Sequence, residues 1–190
     1  MKKKSLNDIT VKGKRVFLRV DFNVPLDDNL RITDDTRITA TLPTLRHLIA
    51  QGAKIVCASH LGRPKGKGEK EPEFSLAPVA KHLADLLHQE VKFIGETTGP
   101  AIDALKSQLK EGEVLLLENL RFHPGETKDH EDFARELARD IDIFVNDAFG
   151  ASHRAHASIR KITEFVPAAV AGFLLEKETR FLGLATENPP

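Results

Sequence analysis

Five short apolar runs, separated by segments with helical periodicity, constrain the fold of this 190-residue chain more than any other feature. The runs occupy residues 15–20, 53–59, 91–94, 113–118 and 141–146. They are nearly continuous rather than alternating, which is typical of strands buried on both faces. Strands that alternate with helices predict an α/β fold, with a mainly parallel sheet covered by helices on both faces.

The segments between the runs carry apolar residues at intervals of three and four, as amphipathic helices do. One pattern spans residues 42–49 and is followed by Gly52, where the helix is expected to end. A second pattern follows Ser75, a candidate N-cap. Two more span residues 102–109 and 133–137. These four patterns supply the helices that the sheet requires.

The last part of the chain has a different character. Residues 173–190 carry apolar side chains at helical spacing and then reach Asn188-Pro189-Pro190, where prolines end a helix. We therefore expect residues 1–172 to form the α/β domain and residues 173–190 to begin a linker helix. A chain with this ending is expected to be a truncated fragment of a larger protein.

Composition excludes several classes of protein. Lys plus Arg and Asp plus Glu both total 28, which disfavours nucleic-acid binding through bulk charge. Trp and Tyr are absent, so the usual stacking platforms for single-stranded nucleic acid are missing. No apolar window is long enough for a membrane span or a secretory signal. The single cysteine, Cys57, excludes an internal disulfide and favours a reducing, cytoplasmic compartment.

Polar and basic side chains follow four of the five predicted strands. They are Asp21, Asn23 and Arg37 after the first, His60 and Arg63 after the second, Arg121 after the fourth, and His153, Arg154 and His156 after the fifth. In parallel sheets, ligands bind beyond the carboxyl ends of the strands, so we expect these groups to share one rim. Because guanidinium groups bind phosphate and carboxylate through paired hydrogen bonds, the rim predicts a site for a small anion.

Several of these residues also have a purely structural interpretation. Asp21 and Asn23 can form the turn before Pro25. The His60–Arg63 segment can be a solvated loop. Arg121 can pair with Glu118 or Glu126 at the surface, and Asp147 can cap a turn. His153 and His156 can share a helical face suited to a metal, but no third ligand has matching spacing, so we predict no metal site.

Neither familiar nucleotide-binding loop occurs in the sequence. There is no G-x-x-x-x-G-K-[ST] segment, and no G-x-G-x-x-G segment follows a predicted strand. We therefore predict that this chain contains no nucleotide-binding residues.

Six motifs resemble those of phosphoglycerate kinase. They are RVDFNVP (19–25), ITDDTRI (32–38), ASHLGRPKG (58–66), LLLENLRF (115–122), VNDAFGASHRAHAS (145–158) and AGFLLEKE (171–178). They span most of the chain in the order of the family, and they resemble its N-terminal domain as far as the interdomain helix. The Gly-rich segment and the nucleotide-binding domain of the family are absent. His123 departs from the pattern, since the family more often has Tyr there.

The resemblance implies a Rossmann-like three-layer αβα domain that binds 3-phosphoglycerate. It implies reversible phosphoryl transfer with ATP or ADP, giving 1,3-bisphosphoglycerate in glycolysis, by a cytoplasmic enzyme that is a monomer. Mg-ATP or Mg-ADP would be bound by the missing domain, and this chain would bind no cofactor. By itself, this chain is expected to bind the substrate but not to catalyse the reaction. The resemblance places Asp21 and Asn23 at the hydroxyl of the substrate. It implies that Arg37 is the catalytic residue and that it lies at the carboxylate and the transferred phosphoryl group. The residues implied to bind the 3-phosphate are His60, Arg63, Arg121 and Arg154.

A non-catalytic module is the alternative function. Such a module would be a free-standing anion-binding or scaffold domain whose last helix docks on a partner, and it would bind generic phosphates without preference. In either case, the apolar stripe of the last helix is expected to leave an exposed patch that promotes self-association.

Overall fold

A single parallel sheet organises the molecule. The computed structural model describes residues 5–187, with side chains described up to residue 182. The strands are β1 (Arg15–Arg19), β2 (Lys54–Ala58), β3 (Val91–Ile94), β4 (Val114–Leu117), β5 (Ile143–Asn146) and β6 (Ala168–Ala171). They pair in the order β3-β4-β2-β1-β5-β6, and each of these pairings is parallel. The predicted α/β fold is confirmed.

Helices cover both faces of this sheet. The helices are α1 (Thr36–Ala50), α2 (Ala77–Leu87), α3 (Pro100–Gln108), α4 (Glu131–Ala138) and α5 (Phe173–Glu187). Helices α1 and α2 pack on one face with Val16 and Leu18 of β1, while α3 and α4 pack on the other with Phe17. Successive strand residues point to opposite faces, so the near-continuous apolar runs fill two cores at once. This is the expected three-layer arrangement.

One local prediction was wrong, one was confirmed, and one strand was not anticipated. Strand β6 was not predicted, because its short AAVA sequence lacks the large side chains that mark a buried strand. The N-cap of α2 is Leu76 rather than Ser75, although the Ser75 hydroxyl does accept a 3.2 Å hydrogen bond from the N–H of Ala77. Gly52 follows α1 with a left-handed φ of +71°, as expected for a residue that ends a helix.

Helix α5 is tied to the sheet at its first turn. The N–H groups of Leu174 and Leu175 donate to Asp147 Oδ1 over 2.9 and 3.2 Å, and the N–H of Phe173 donates to Thr44 Oγ over 3.1 Å. Asp147 therefore caps a helix rather than a turn of its own. Burial raises the pKa of this carboxyl group.

The predicted division at residue 172 falls where α5 begins, and it stays a prediction as a domain boundary. The expected stop at Asn188-Pro189-Pro190 lies outside the described residues. No helix within residues 5–187 is both long and apolar enough to cross a membrane.

Candidate functional site

The polar residues that follow β1, β2, β4 and β5 meet at the carboxyl edge of the sheet. Strand β1 lies between β2 and β5. The chain leaves β1 toward α1, which packs on one face, whereas Ile162 in the segment after β5 packs on the other. Loops that diverge in this way leave a crevice between adjacent strand ends, which is where ligands bind in open parallel sheets. Direct contacts and electrostatic interactions link the sequence-predicted site residues to one another at this edge.

Asp21 joins the first strand end to the first turn of α1. Its Oδ2 accepts a 2.7 Å hydrogen bond from Arg37 Nη1, while its Oδ1 accepts from the N–H of Asn23 over 3.2 Å. The turn-forming role is therefore real, and it coexists with a contact to the arginine. The Asp21 side chain is mostly buried and that of Arg37 is 53% exposed, so the guanidinium retains donors that face solvent.

Gly62 is the point at which three of the strand ends are linked. Its N–H donates to Asn23 Oδ1 over 2.8 Å, and its carbonyl accepts a 2.7 Å hydrogen bond from Arg121 Nη1. The residue has a left-handed φ of +59°, and a Cβ atom there would overlap the ring of Phe74. These contacts fix the loop that presents Arg63.

Cations gather around Arg121. Burial lowers the pKa of its guanidinium, and the charges of Arg154, Arg19 and Arg63 lower it further. Within residues 5–182, no carboxylate oxygen lies within 4.0 Å of the guanidinium nitrogens of Arg63, Arg121 or Arg154. Arg121 thus pairs with neither Glu118 nor Glu126, and its buried Nε has no protein partner in that part of the chain. The more distant Glu126 raises the pKa of Arg121, but it does not form an ion pair with it. A cluster of cations with no carboxylate at ion-pair distance favours an anionic ligand.

His60 lies against this cluster as a neutral ring. Burial lowers its pKa to about 2, and the nearby charges of Arg19, Arg121, Arg154 and His156 act in the same direction. The ring Nδ1 is 3.3 Å from Arg19 Nη2, which can only donate, so Nδ1 accepts and the proton resides on Nε2. We call the group formed by Arg37, His60, Arg63, Arg121 and Arg154 the basic cleft.

Beneath the basic cleft lies a buried ionic group that sequence reasoning missed. Arg19 and Glu126 are both fully buried, and their nearest charged atoms are 4.0 Å apart. Ser158 links them, since its hydroxyl accepts from Arg19 Nε over 2.9 Å and donates to Glu126 Oε1 over 2.6 Å. An arginine inside an apolar strand was the available signal, because a buried charge needs a partner.

The two histidines of the HRAH segment do not form the expected helical pair. Residues 152–160 form turns, a bend and irregular backbone without a helix, so an i, i+3 relation on a helix does not apply. His156 Nδ1 lies 3.7 Å from Glu126 Oε1, which points the ring toward the buried acid. Within the described part of the chain, no group of three or more His, Cys, Asp or Glu side chains is arranged to hold a metal ion.

Comparison with known proteins gives the context of this site. The family model for phosphoglycerate kinase matches residues 6–190. The chain is 53% identical over 186 residues to the phosphoglycerate kinase of Anaeromyxobacter sp. (strain Fw109-5), covering 98% of this chain and 47% of that protein. It is also 53% identical over 189 residues to that of Chlorobium luteolum, covering 100% of this chain and 47% of that protein.

Solved structures agree with these relatives. The structure of phosphoglycerate kinase from Coxiella burnetii superposes with a TM-score of 0.88 at 40% identity, covering 99% of this chain and 46% of that one. The enzyme from Pyrococcus horikoshii OT3 gives a TM-score of 0.88 at 36% identity, covering 98% of this chain and 46% of that one. The chain spans about half the length of the curated relatives it matches. It belongs to the phosphoglycerate kinase family.

Proposed function

We propose that this chain is the substrate-binding half of a phosphoglycerate kinase and that it binds 3-phosphoglycerate in the basic cleft. The observation that carries the proposal is the convergence of Arg63, Arg121 and Arg154, without carboxylate partners in residues 5–182, beside a neutral His60. The named relatives are phosphoglycerate kinases, which supports the choice of substrate.

The 3-phosphate is the part of the substrate that the basic cleft suits best. Arg63, Arg121 and Arg154 supply the charge, and the Nε2–H of His60 supplies a neutral donor. Each hydrogen bond to a charged group contributes about 1.5–3 kcal/mol. Arg63 and Arg154 are exposed, which places them at the lower end of that range. Together these contacts support binding in the micromolar to millimolar range after association costs.

The hydroxyl and carboxylate of the substrate are proposed to lie toward Asp21 and Arg37. Asn23 uses its side-chain oxygen to hold Gly62, and its Nδ2 donates to no group within residues 5–182, so it can donate to a ligand. Asp21 holds Arg37 at 2.7 Å and can accept from the substrate hydroxyl. We assign Arg37, the proposed catalytic residue, to the carboxylate and to the charge that develops on the transferred phosphoryl group.

Such a reaction places modest demands on the residues of this chain. The attacking group is the carboxylate of the substrate, which is ionised at neutral pH, so no general base is required. Catalysis then depends on alignment and on charge stabilisation. We assign the metal nucleotide to the rest of the full-length protein.

The full-length protein is proposed to supply what this chain does not. We infer that Mg-ATP or Mg-ADP binds in a second domain beyond the linker helix, and that closure of the two domains brings the ligands together and excludes water. We propose on the same basis, by analogy with the family, a cytoplasmic, monomeric enzyme of glycolysis that forms 1,3-bisphosphoglycerate.

Calorimetric titration separates this proposal from the anion-binding module. We expect 3-phosphoglycerate to bind more tightly than 2-phosphoglycerate, and both more tightly than inorganic phosphate. The proposal assigns phosphate and carboxylate to different side chains, and 3-phosphoglycerate carries these two groups farther apart than 2-phosphoglycerate does, while inorganic phosphate has no carboxylate. Equal affinity for all three ligands would favour the generic module. The absence of binding at millimolar 3-phosphoglycerate would refute the proposal.

A kinase assay tests the second part of the proposal. With ATP and 3-phosphoglycerate, the chain alone is expected to give no turnover above background. Substantial turnover would show that a nucleotide site exists within these 190 residues.

A further inference from the structure

Glu126 is a buried carboxylate to which several elements of the site are attached. It is fully buried, yet its ionised form is well supplied with donors. Oε1 accepts from the Ser158 hydroxyl over 2.6 Å, and Oε2 accepts from the Ser158 N–H over 3.1 Å. Burial raises the pKa of this carboxyl group, but contacts with His156, Arg19 and Ser158 outweigh that effect and leave the pKa below its usual value. Glu126 is therefore an anion in the folded protein.

A chain of hydrogen bonds runs from Glu126 to the basic cleft. The Ser158 hydroxyl donates its only proton to Glu126, so it can only accept a hydrogen bond from Arg19 Nε, which lies 2.9 Å away. Arg19 also donates through Nη1 to the carbonyl of Val20. These two anchors leave Nη2 directed at His60 Nδ1 over 3.3 Å. The orientation of the guanidinium is thus set from below.

The last link determines which nitrogen of His60 carries its proton. The Asp21 carboxylate also faces His60 Nδ1, but its Oδ1 is 4.0 Å away, beyond hydrogen-bond distance. A guanidinium has no acceptor, so the contact with Arg19 requires Nδ1 to accept and places the proton on Nε2. No described protein group accepts from Nε2, and this nitrogen is not among the buried side-chain atoms left without a partner. It therefore remains as a donor with access to the solvent side of the cleft.

We infer that Glu126 is a positioning residue for the basic cleft: through Ser158 and Arg19 it holds His60 as the Nε2–H tautomer, which is the form that donates to an anionic ligand. The inference rests on the proposed function for the identity of that ligand, a phosphate monoester. It does not rest on that function for the tautomer, which is a property of the chain without ligand.

A simple charge argument predicts the opposite effect on binding, and the difference makes the inference testable. Glu126 is an anion beneath an anion-binding site, so by charge alone its neutralisation in Glu126→Gln should tighten phosphate binding. If Glu126 acts by positioning Arg19 and His60, the same substitution weakens binding. Ser158→Ala changes no charge and removes only the relay, so it serves as a second variant if Glu126→Gln fails to fold.

Nitrogen-15 NMR of the histidine rings provides the direct measurement. In the wild-type 190-residue chain without ligand, we expect His60 to show a single neutral tautomer with its proton on Nε2 at pH 7. In Ser158→Ala, and in Glu126→Gln if it folds, we expect this single state to be replaced by a mixture of tautomers. Glu118→Gln is the matched control, because Glu118 is also a buried carboxylate but holds Ser75, Leu76 and Asn119 instead.

Titration with 3-phosphoglycerate completes the test. We expect the dissociation constant for 3-phosphoglycerate to rise by roughly threefold or more in Ser158→Ala and in Glu126→Gln, since only the fraction of His60 with its proton on Nε2 is competent to bind. A wild-type His60 protonated on Nδ1, or folded variants that keep one tautomer and unchanged affinity, would overturn the inference. If wild-type binds no 3-phosphoglycerate but the tautomer behaves as expected, the proposed function fails while the positioning of His60 stands.

Discussion

Replacing Arg121 by methionine separates ligand binding from stability more cleanly than other changes in the basic cleft. Methionine keeps an unbranched apolar stem of similar reach and removes the guanidinium. The substitution deletes the 2.7 Å hydrogen bond to the carbonyl of Gly62, a loss of about 1 kcal/mol. It also relieves repulsion from Arg154, Arg19 and Arg63, which is offset in part by the lost attraction to Glu126. Because these effects oppose each other, the free energy of unfolding should change by no more than about 1 kcal/mol.

The effect of Arg121→Met on binding should be much larger. A hydrogen bond between guanidinium and phosphate contributes about 1.5–3 kcal/mol, and each 1.4 kcal/mol corresponds to a tenfold change in dissociation constant. We therefore expect the dissociation constant for 3-phosphoglycerate to rise by roughly 10- to 100-fold. Isothermal titration calorimetry gives the affinity, and urea denaturation gives the free energy of unfolding.

Arg46→Met is the matched control for this experiment. Arg46 also donates to a backbone carbonyl, that of Leu86 over 3.2 Å, but it lies on α1 outside the basic cleft. The control should retain wild-type affinity. A folded Arg121→Met variant with wild-type affinity would refute the assignment of Arg121 to the phosphate.

Three further predictions concern stability and association. Gly62→Ala should lower the free energy of unfolding, measured by urea denaturation, by roughly 2 kcal/mol or more, because its φ is +59° and a Cβ atom would overlap the ring of Phe74. Gly68→Ala is the control, since Gly68 also has a positive φ but no atom within 4 Å of the added Cβ, and it should cost only about 1 kcal/mol. Equal costs for the two variants would contradict the overlap with Phe74. Burial lowers the pKa of His60 to about 2 in the folded chain, against 6.5 when unfolded, so its contribution to the free energy of unfolding is complete above pH 6.5 and is lost as the pH falls from 6.5 toward 2. Over that range, the free energy of unfolding of the wild-type chain should fall with pH more steeply than that of His60→Gln, by about 1.4 kcal/mol per pH unit. Parallel curves would show that His60 titrates normally. Phe181 on α5 is 60% exposed and should promote self-association of the chain. Phe181→Ser should therefore reduce both the concentration dependence of sedimentation and the binding of an apolar dye. A wild-type chain that is strictly monomeric and binds no dye would contradict a role of Phe181 in association.

Strands with large buried side chains could be predicted from the sequence, and the strand with small side chains could not. The five predicted strands are observed with ends shifted by at most two residues, because large aliphatic side chains buried on both faces give a strong signal. Strand β6 gives a weak signal, since its alanines fill little volume at the edge of the sheet. Its pairing with β5 depends on tertiary contacts that no local pattern reports.

The site was predictable at its rim and not beneath it. The rim residues follow predicted strands, so the geometry of a parallel sheet brings them to one edge. Among the five predicted strands, only the run at residues 91–94 is followed by no basic side chain, and β3 lies at one of the two edges of the sheet. Glu126 stands in a loop 107 positions after Arg19 along the chain, a separation that only the folded structure closes. Charge alone does not reveal such a partner in a sequence rich in surface acids.

A crystal structure of the chain with 3-phosphoglycerate is the most direct test of where the substrate binds. We expect the phosphate oxygens to lie within hydrogen-bond distance of Arg63, Arg121, Arg154 and His60 Nε2, with the carboxylate beside Arg37. Ligand density elsewhere on the molecule, or a phosphate that contacts none of these side chains, would contradict the proposed site.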